Sequence, residues 1–335
     1  MPGAVVGVMS KHLDTPLIVC GGQLTYESTA PKVDQNTVYD VASLTKVVPT
    51  SLLALMFIDQ GHIELDGLMT DYLPGYRGAY RDEITIKHLL SYTVDWGISM
   101  SSLVNLKADE IYHTLYNATP KQPPGTSTRY CNATAILLGL ILERVSGVRL
   151  DRLAQQMLFD PLHMKRTGFA PSEFLDIEQD VAPSEQLPDG TPCLGVVHDE
   201  SARALQKADV IPGSAGLFST VPDLLQVVGL LLDHGVYDGR PILSEAVIEH
   251  AMKPAFEGLK PAPMGLGWSV GPSETVGHVP TSAVYKTGFT GCLMYVDVVA
   301  ELGVVVLTNH TYPTRQPDYM LRNQLFQELL ETVTA

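Results

Sequence analysis

Tyr39-Asp40-Val41-Ala42-Ser43-Leu44-Thr45-Lys46 is the stretch on which the reading of this chain turns. A loop rich in Asp, Asn and Thr leads into it, and from Ser43 to Gln60 the pattern is helical. Leu52, Leu53, Leu55, Met56 and Ile58 wrap an almost all-round apolar cylinder, which has to be buried on most sides. Gly61 is placed to end it, and Pro49 within it removes one backbone hydrogen bond and is expected to bend it. Ser43 and Lys46 lie one turn apart on one face, so hydroxyl and ammonium can meet. The start of a helix also offers free N–H groups and a partial positive charge to a developing oxyanion. A serine hydroxyl is inert at its free pKa and needs a base. Lys46 serves if burial and neighbouring cations depress its pKa. Read alone, the pair is more simply an N-cap and a solvated charge.

Two further short patterns follow in order. Tyr130-Cys131-Asn132 comes after the turn-forming run Pro123-Pro124-Gly125-Thr126 and before a helix beginning near Thr134, which puts it on a loop that can face a cleft. Tyr130 is a second possible base, as a phenolate flanked by Lys46 and Lys286. Asn132 can donate to a substrate carbonyl and accept from Lys46, or it can simply cap the helix. Lys286-Thr287-Gly288 ends a strand. Lys286 and Thr287 can hold an anionic group, and Gly288 lets an extended substrate approach the backbone. The bland alternative is a lysine guarding an edge strand.

Outward from these patterns, strands are expected at 5–9 and 17–20, and again at 265–270, 283–287, 291–299 and 303–308, where Val304-Val305-Val306-Leu307 has the composition of a central strand. Helices are expected at 85–91, 108–116, 134–146 (ended by Gly147), 224–234 (capped by Ser219 or Thr220, with Pro222 early) and 318–333. Strands at both ends with helices between them predict one mainly antiparallel sheet built from both termini, with a helical insertion.

The 335 residues suffice for one large domain or two interleaved ones, and the net charge of −15 without a basic run argues against nucleic acid. The apolar stretch at 47–58 is interrupted by Pro49, Thr50 and Ser51 and is short of the roughly 20 residues of a membrane span. The first nine residues lack a basic n-region, so a cytoplasmic location is expected, with Cys20, Cys131, Cys193 and Cys292 as free thiols. Cys131 and Cys292 adjoin the proposed site, but no Cys-His pairing supports a catalytic thiol. The ten histidines show no metal-ligand spacing, and neither metal nor organic cofactor is expected.

The ordered trio resembles the penicillin-recognising serine hydrolases, in the branch of class C β-lactamases and related esterases and D-alanyl peptidases, which carry S-x-x-K and K-T-G with Y-x-N between. Gly61-His62-Ile63-Glu64-Leu65-Asp66, Ile84-Thr85-Ile86-Lys87-His88-Leu89-Leu90-Ser91, Pro161-Leu162-His163-Met164, Gly265-Leu266-Gly267-Trp268 and Leu307-Thr308-Asn309 look like framework segments of the same family. The resemblance implies a β-lactamase/transpeptidase-like α/β fold of the α+β type, an antiparallel sheet flanked by helices plus an inserted helical domain. Residues 1–65 with 210–335 would form the sheet domain and 66–209 the helical one, with the site between them. It implies Ser43 as acylated nucleophile, Lys46 and Tyr130 sharing the proton work, Asn132 as substrate clamp, Lys286 as carboxylate anchor and partner of Tyr130, and Thr287 and Gly288 beside it. The Ser43 and Phe289 N–H groups would form the oxyanion hole. Departures are Tyr92-Thr93-Val94-Asp95 after the Leu-Leu-Ser segment and the bulky Phe289, which argues against fast β-lactam turnover. Val197-His198-Asp199-Glu200 resembles a segment of non-lactamase relatives, and His198 either lines the cleft or is a structural histidine satisfied by ordinary hydrogen bonds.

The partner expected is a small ester, amide or β-lactam. Lys286 favours a substrate carboxylate, whereas the lack of a signal-like start favours an intracellular esterase or amide hydrolase. Two rivals stand beside this. A non-catalytic ligand-binding or regulatory protein could share the fold. Gly267-Trp268-Ser269-Val270-Gly271 matches the α/β-hydrolase signature, but the loop-like Pro272-Ser273-Glu274-Thr275-Val276-Gly277 that follows it lacks the helix this motif requires.

Overall fold

The computed structural model describes residues 1–98, 103–104, 106–187, 189–260, 263–272, 276–316 and 318–334. Its centre is a six-stranded sheet. Strands β1 (Gly3–Ser10) and β2 (Leu17–Gly22) form a hairpin, and β3 (Ser269–Val270), β4 (Ala283–Thr287), β5 (Leu293–Asp297) and β6 (Leu302–Thr308) come from the other end of the sequence. The order is β2-β1-β6-β5-β4-β3, antiparallel throughout, with Val5 opposite Leu307 and Lys286 opposite Met294.

Period-two alternation divides the sheet between two cores. Val6, Val8, Tyr285, Leu293, Tyr295, Val304 and Val306 pack with Phe326 and Leu330, and so against the helix Met320–Thr334. Val5, Val284, Met294, Val296, Val305 and Leu307 point the other way, into the large core shared with the helices Leu52–Asp59 (α1), Asn132–Ser146 (α2) and Val221–Leu232. Buried on both faces, β6 reads as a continuous apolar run, as expected of a central strand. Glycine sets the spacing to Val221–Leu232: a Cβ at Gly303 would lie 2.1 Å from Val228 Cγ1, and one at Gly7 would lie 2.4 Å from Val221 Cγ1.

Helix ends follow the local signals. Thr220 caps its helix by accepting the Asp223 N–H, and Gly147 ends α2 in the left-handed region at φ 69°. Two expectations are corrected. Residues 43–60 are not one helix: a 3₁₀ turn, Ala42–Lys46, gives way at Val48 (φ −109°, ψ 107°) before Pro49, and the α-helix starts only at Leu52. Proline pushes the residue before it out of the helical region, which accounts for the break. The segment 42–59 has the length and apolarity of a membrane span, yet 83% of it is buried inside the fold, as a core helix would be. The strand expected at 265–270 shrinks to Ser269–Val270, because Gly267 turns at φ 95° against Ser51.

Candidate active site

Ser43 sits on the short 3₁₀ turn rather than at the start of a long helix. The preceding Ala42 has a left-handed φ of 46°, uncommon for a residue with a side chain, and Asp40 holds it there. Asp40 Oδ1 accepts the Ala42 N–H at 2.8 Å and its Oδ2 accepts the His198 N–H at 2.7 Å. Residues three apart eclipse on a 3₁₀ turn, which brings Lys46 over Ser43. Lys46 is fully buried, and its Nζ donates to Ser43 Oγ at 2.9 Å and to the Ser214 carbonyl at 2.7 Å.

Tyr130 arrives from the loop before α2, with Arg129 N–H bonded to the Tyr92 carbonyl and the two tyrosine rings 5.3 Å apart. Lys286, at the end of β4, places its Nζ 3.9 Å from the Tyr130 ring centre, and Lys46 Nζ lies 5.0 Å from it. Burial pushes the Tyr130 phenol up, but Lys286, then Lys46, and hydrogen bonds with Ser43 and Lys46 outweigh it and bring it down to about 8. Burial and the charge of Lys46 in turn hold the Lys286 ammonium below its ordinary value, against the pull of Tyr130. The structure thus brings Ser43, Lys46, Tyr130 and Lys286 together. Lys286 is no edge lysine, since β4 runs between β5 and β3, and at 4% exposure its ammonium is covered.

A cavity of about 500 Å³ opens beside Ser43, walled by Tyr130, His198, Asp199, Thr287, Gly288 and Phe289 among others. The fold itself requires Gly288: a Cβ there would lie 2.5 Å from the Val41 carbonyl oxygen. Phe289 is held from three sides. Tyr319 Oη donates to its carbonyl at 2.7 Å, the His198 ring stacks at 5.6 Å, and the Arg315 guanidinium lies 5.9 Å from its ring centre. His198 faces the cavity, and its Nε2 lies 3.2 Å from Glu185 Oε2 without meeting hydrogen-bond geometry. Burial, with Arg315, keeps its pKa below the ordinary value.

Asn132 departs furthest from expectation. Cys131, not Asn132, caps α2, its Sγ accepting the Ala133 N–H at 3.4 Å. Asn132 is 1% exposed and donates to Asp199 Oδ2 at 2.9 Å and Ser201 Oγ at 3.2 Å. Its Oδ1 has no partner, Lys46 included, among the described residues. Asp199 and Asp40 are the site residues that sequence reasoning missed. The signal for Asp199 was its place as N-cap of the helix Glu200–Lys207 (α3); for Asp40 it was only its position two residues before Ala42.

The rival nucleophiles fall away on geometry. Ser269 lies within a strand, not on a strand-to-helix turn, and its Oγ contacts Met264 Sδ at 3.7 Å; of the residues after it, 273–275 lie outside those described. Burial raises the Cys131 thiol and pushes Cys292 up to about 11, the environment of an unreactive thiol. All four cysteines are free.

A protein-family model described as Beta-lactamase matches residues 17–328 of this chain. Among curated proteins, the "Putative D-alanyl-D-alanine carboxypeptidase" of Salmonella heidelberg is 26% identical over 314 residues, covering 84% of this chain and 72% of that one. Among solved structures, EstCE1, "a hydrolase with promiscuous acyltransferase activity", superposes with a TM-score of 0.73 at 22% identity, over 97% of this chain and 93% of that one. The octameric penicillin-binding protein homologue from Pyrococcus abyssi gives a TM-score of 0.75 at 19% identity, over 98% and 74%. At these identities the structural likenesses speak for the fold alone, and the fold is the one expected from the sequence.

Proposed function

The chain belongs to the beta-lactamase family of serine hydrolases, and on that premise we propose that it hydrolyses small esters or amides through an acyl-enzyme on Ser43. The observation that carries the proposal is the 2.9 Å hydrogen bond from Lys46 Nζ to Ser43 Oγ, made beside a tyrosine whose pKa is about 8. With Lys46 donating to Oγ and to the Ser214 carbonyl, the hydroxyl proton of Ser43 is left to Tyr130. A base that titrates near neutrality matches the task.

In the proposed sequence Tyr130 takes that proton as Oγ bonds to the scissile carbonyl carbon. The resulting oxyanion lies between the Ser43 and Phe289 N–H groups, neither of which has a protein acceptor among the described residues. Tyr130 then returns the proton to the departing alkoxide or amine as the bond to the leaving group breaks. Water repeats the attack on the acyl-enzyme, giving its proton to Tyr130, and Ser43 leaves with that proton restored. Lys286 acts on Tyr130 by its charge, which its covered position supports better than direct contact with a substrate carboxylate.

The test is intact-mass analysis and product release with p-nitrophenyl acetate, p-nitrophenyl butyrate and a penicillin. We expect an acyl adduct on Ser43 and ester turnover that Ser43→Ala abolishes and Ser269→Ala leaves in place. Equal loss in two folded variants would sink the assignment.

A further inference from the structure

A primary amide has two N–H donors and one carbonyl acceptor. In Asn132 both donors are taken inside the protein, by Asp199 Oδ2 and Ser201 Oγ. The orientation is forced, because turning the amide over would set its carbonyl against the carboxylate. The carboxylate is equally fixed: Asp199 Oδ1 accepts from Ser201 Oγ at 2.6 Å and from the Ala202 N–H at 2.9 Å, the latter bond capping α3. Burial pushes the Asp199 carboxyl up, but Ser201, Ala202, the charge of Lys46 and Asn132 outweigh it and keep it ionised.

The placement matters as much as the bonding. Asp199 lines the cavity beside Ser43, whereas Asn132 is buried behind it and does not. An acyl chain in this cleft therefore meets a carboxylate, which only accepts, where the amide would have offered a donor. A second carbonyl oxygen brought against Asp199 would lose its water and gain no hydrogen bond from it, and the guanidinium groups on the same wall, Arg315 and Arg322, are engaged by Glu185 and Glu200 and by Asn323.

Resting on the acyl-enzyme reading above, we propose that the Asp199–Asn132–Ser201 cluster makes this cleft select acyl donors with no carbonyl beyond the scissile one. Plain alkanoyl esters are its substrates, and acylamino or keto-acyl compounds are disfavoured. Asn132 is then one of three donors to Asp199, which Ser201 and Ala202 also hold, and not a clamp on the substrate.

The experiment compares kcat/KM for phenyl pentanoate and phenyl 4-oxopentanoate, whose acyl chains differ only by the distal carbonyl. It uses wild type, Asn132→Ala and Asp199→Ser, each checked for cooperative unfolding. Serine keeps the helix cap while withdrawing the carboxylate and opening Asn132 to the cavity. We expect the oxopentanoate-to-pentanoate ratio to stay within about twofold of wild type in Asn132→Ala. In Asp199→Ser it should rise about three- to tenfold, the worth of one hydrogen bond. A selective threefold or greater loss on the oxo ester in Asn132→Ala would restore the clamp and overturn the inference, as would an unchanged ratio in Asp199→Ser. A wild type that hydrolyses neither ester and forms no Ser43 adduct would instead overturn the acyl-enzyme reading, and the inference with it.

Discussion

Beside Ser43, two buried lysines share one aromatic ring, that of Tyr130. Lys46 and Lys286 lie 5.0 and 3.9 Å from the Tyr130 ring centre, close enough to favour the phenolate at the expense of their own solvation. In the proposed mechanism the working form of Tyr130 is the deprotonated one, so kcat/KM for an ester is expected to rise with pH to a plateau, with a midpoint near 8. In Lys286→Met the midpoint should move to higher pH, because the largest opposing charge is gone. Tyr130→Phe should lose the titration and about 10²–10⁴-fold in rate. A pH profile with the same midpoint in wild type and Lys286→Met would show that Tyr130 is not the titrating group.

Helix Val221–Leu232 (α4) reaches the sheet across two glycines, and that contact sets the height of β6 and hence the frame in which β4 presents Lys286. Gly303→Val would drive a side chain into Val228, and overpacking of this kind costs about 1–3 kcal/mol. A lowered urea midpoint with an unchanged m-value is the expected outcome. Elements of this sort were legible in the sequence wherever a local signal decided them: Ala108–Tyr116 falls where the helical pattern puts it, Ala283–Thr287 where strand composition does, and Gly147 stops α2. The break at Val48 was only half legible, since Pro49 announces a disturbance but not that the helix ends there. What stayed hidden was contact across long separations. Nothing near Asn132 in the chain shows that its donors go to Asp199, 67 residues on, whereas the approach of Lys286 to Tyr130 was expected from the ordered patterns.

Taken together, the chain closes its site by tying distant segments to one another, and Asp40 is one such tie, joining the turn before Ser43 to His198. Burial of Asp40 outweighs these two N–H bonds and lifts its pKa from 3.8 to about 6. A raised carboxyl pKa means the folded state holds its proton longer than the unfolded one, so stability falls as pH rises from about 4 to 6. The full effect is of order 3 kcal/mol. Urea unfolding of wild type and Asp40→Asn across that window should show wild type losing ground with rising pH, and parallel curves would exclude the effect. The sheet carries the longest of these ties. Strand β1 pairs with β6, Ala4 opposite Thr308, so two neighbours at the middle of the sheet are synthesised about 300 residues apart. At roughly 5–20 residues per second, the first strand waits some 15–60 s for its second partner. During that interval the growing polypeptide carries an open, valine-rich edge with only its hairpin mate β2 alongside, a strand exposed to mispairing until β6 arrives.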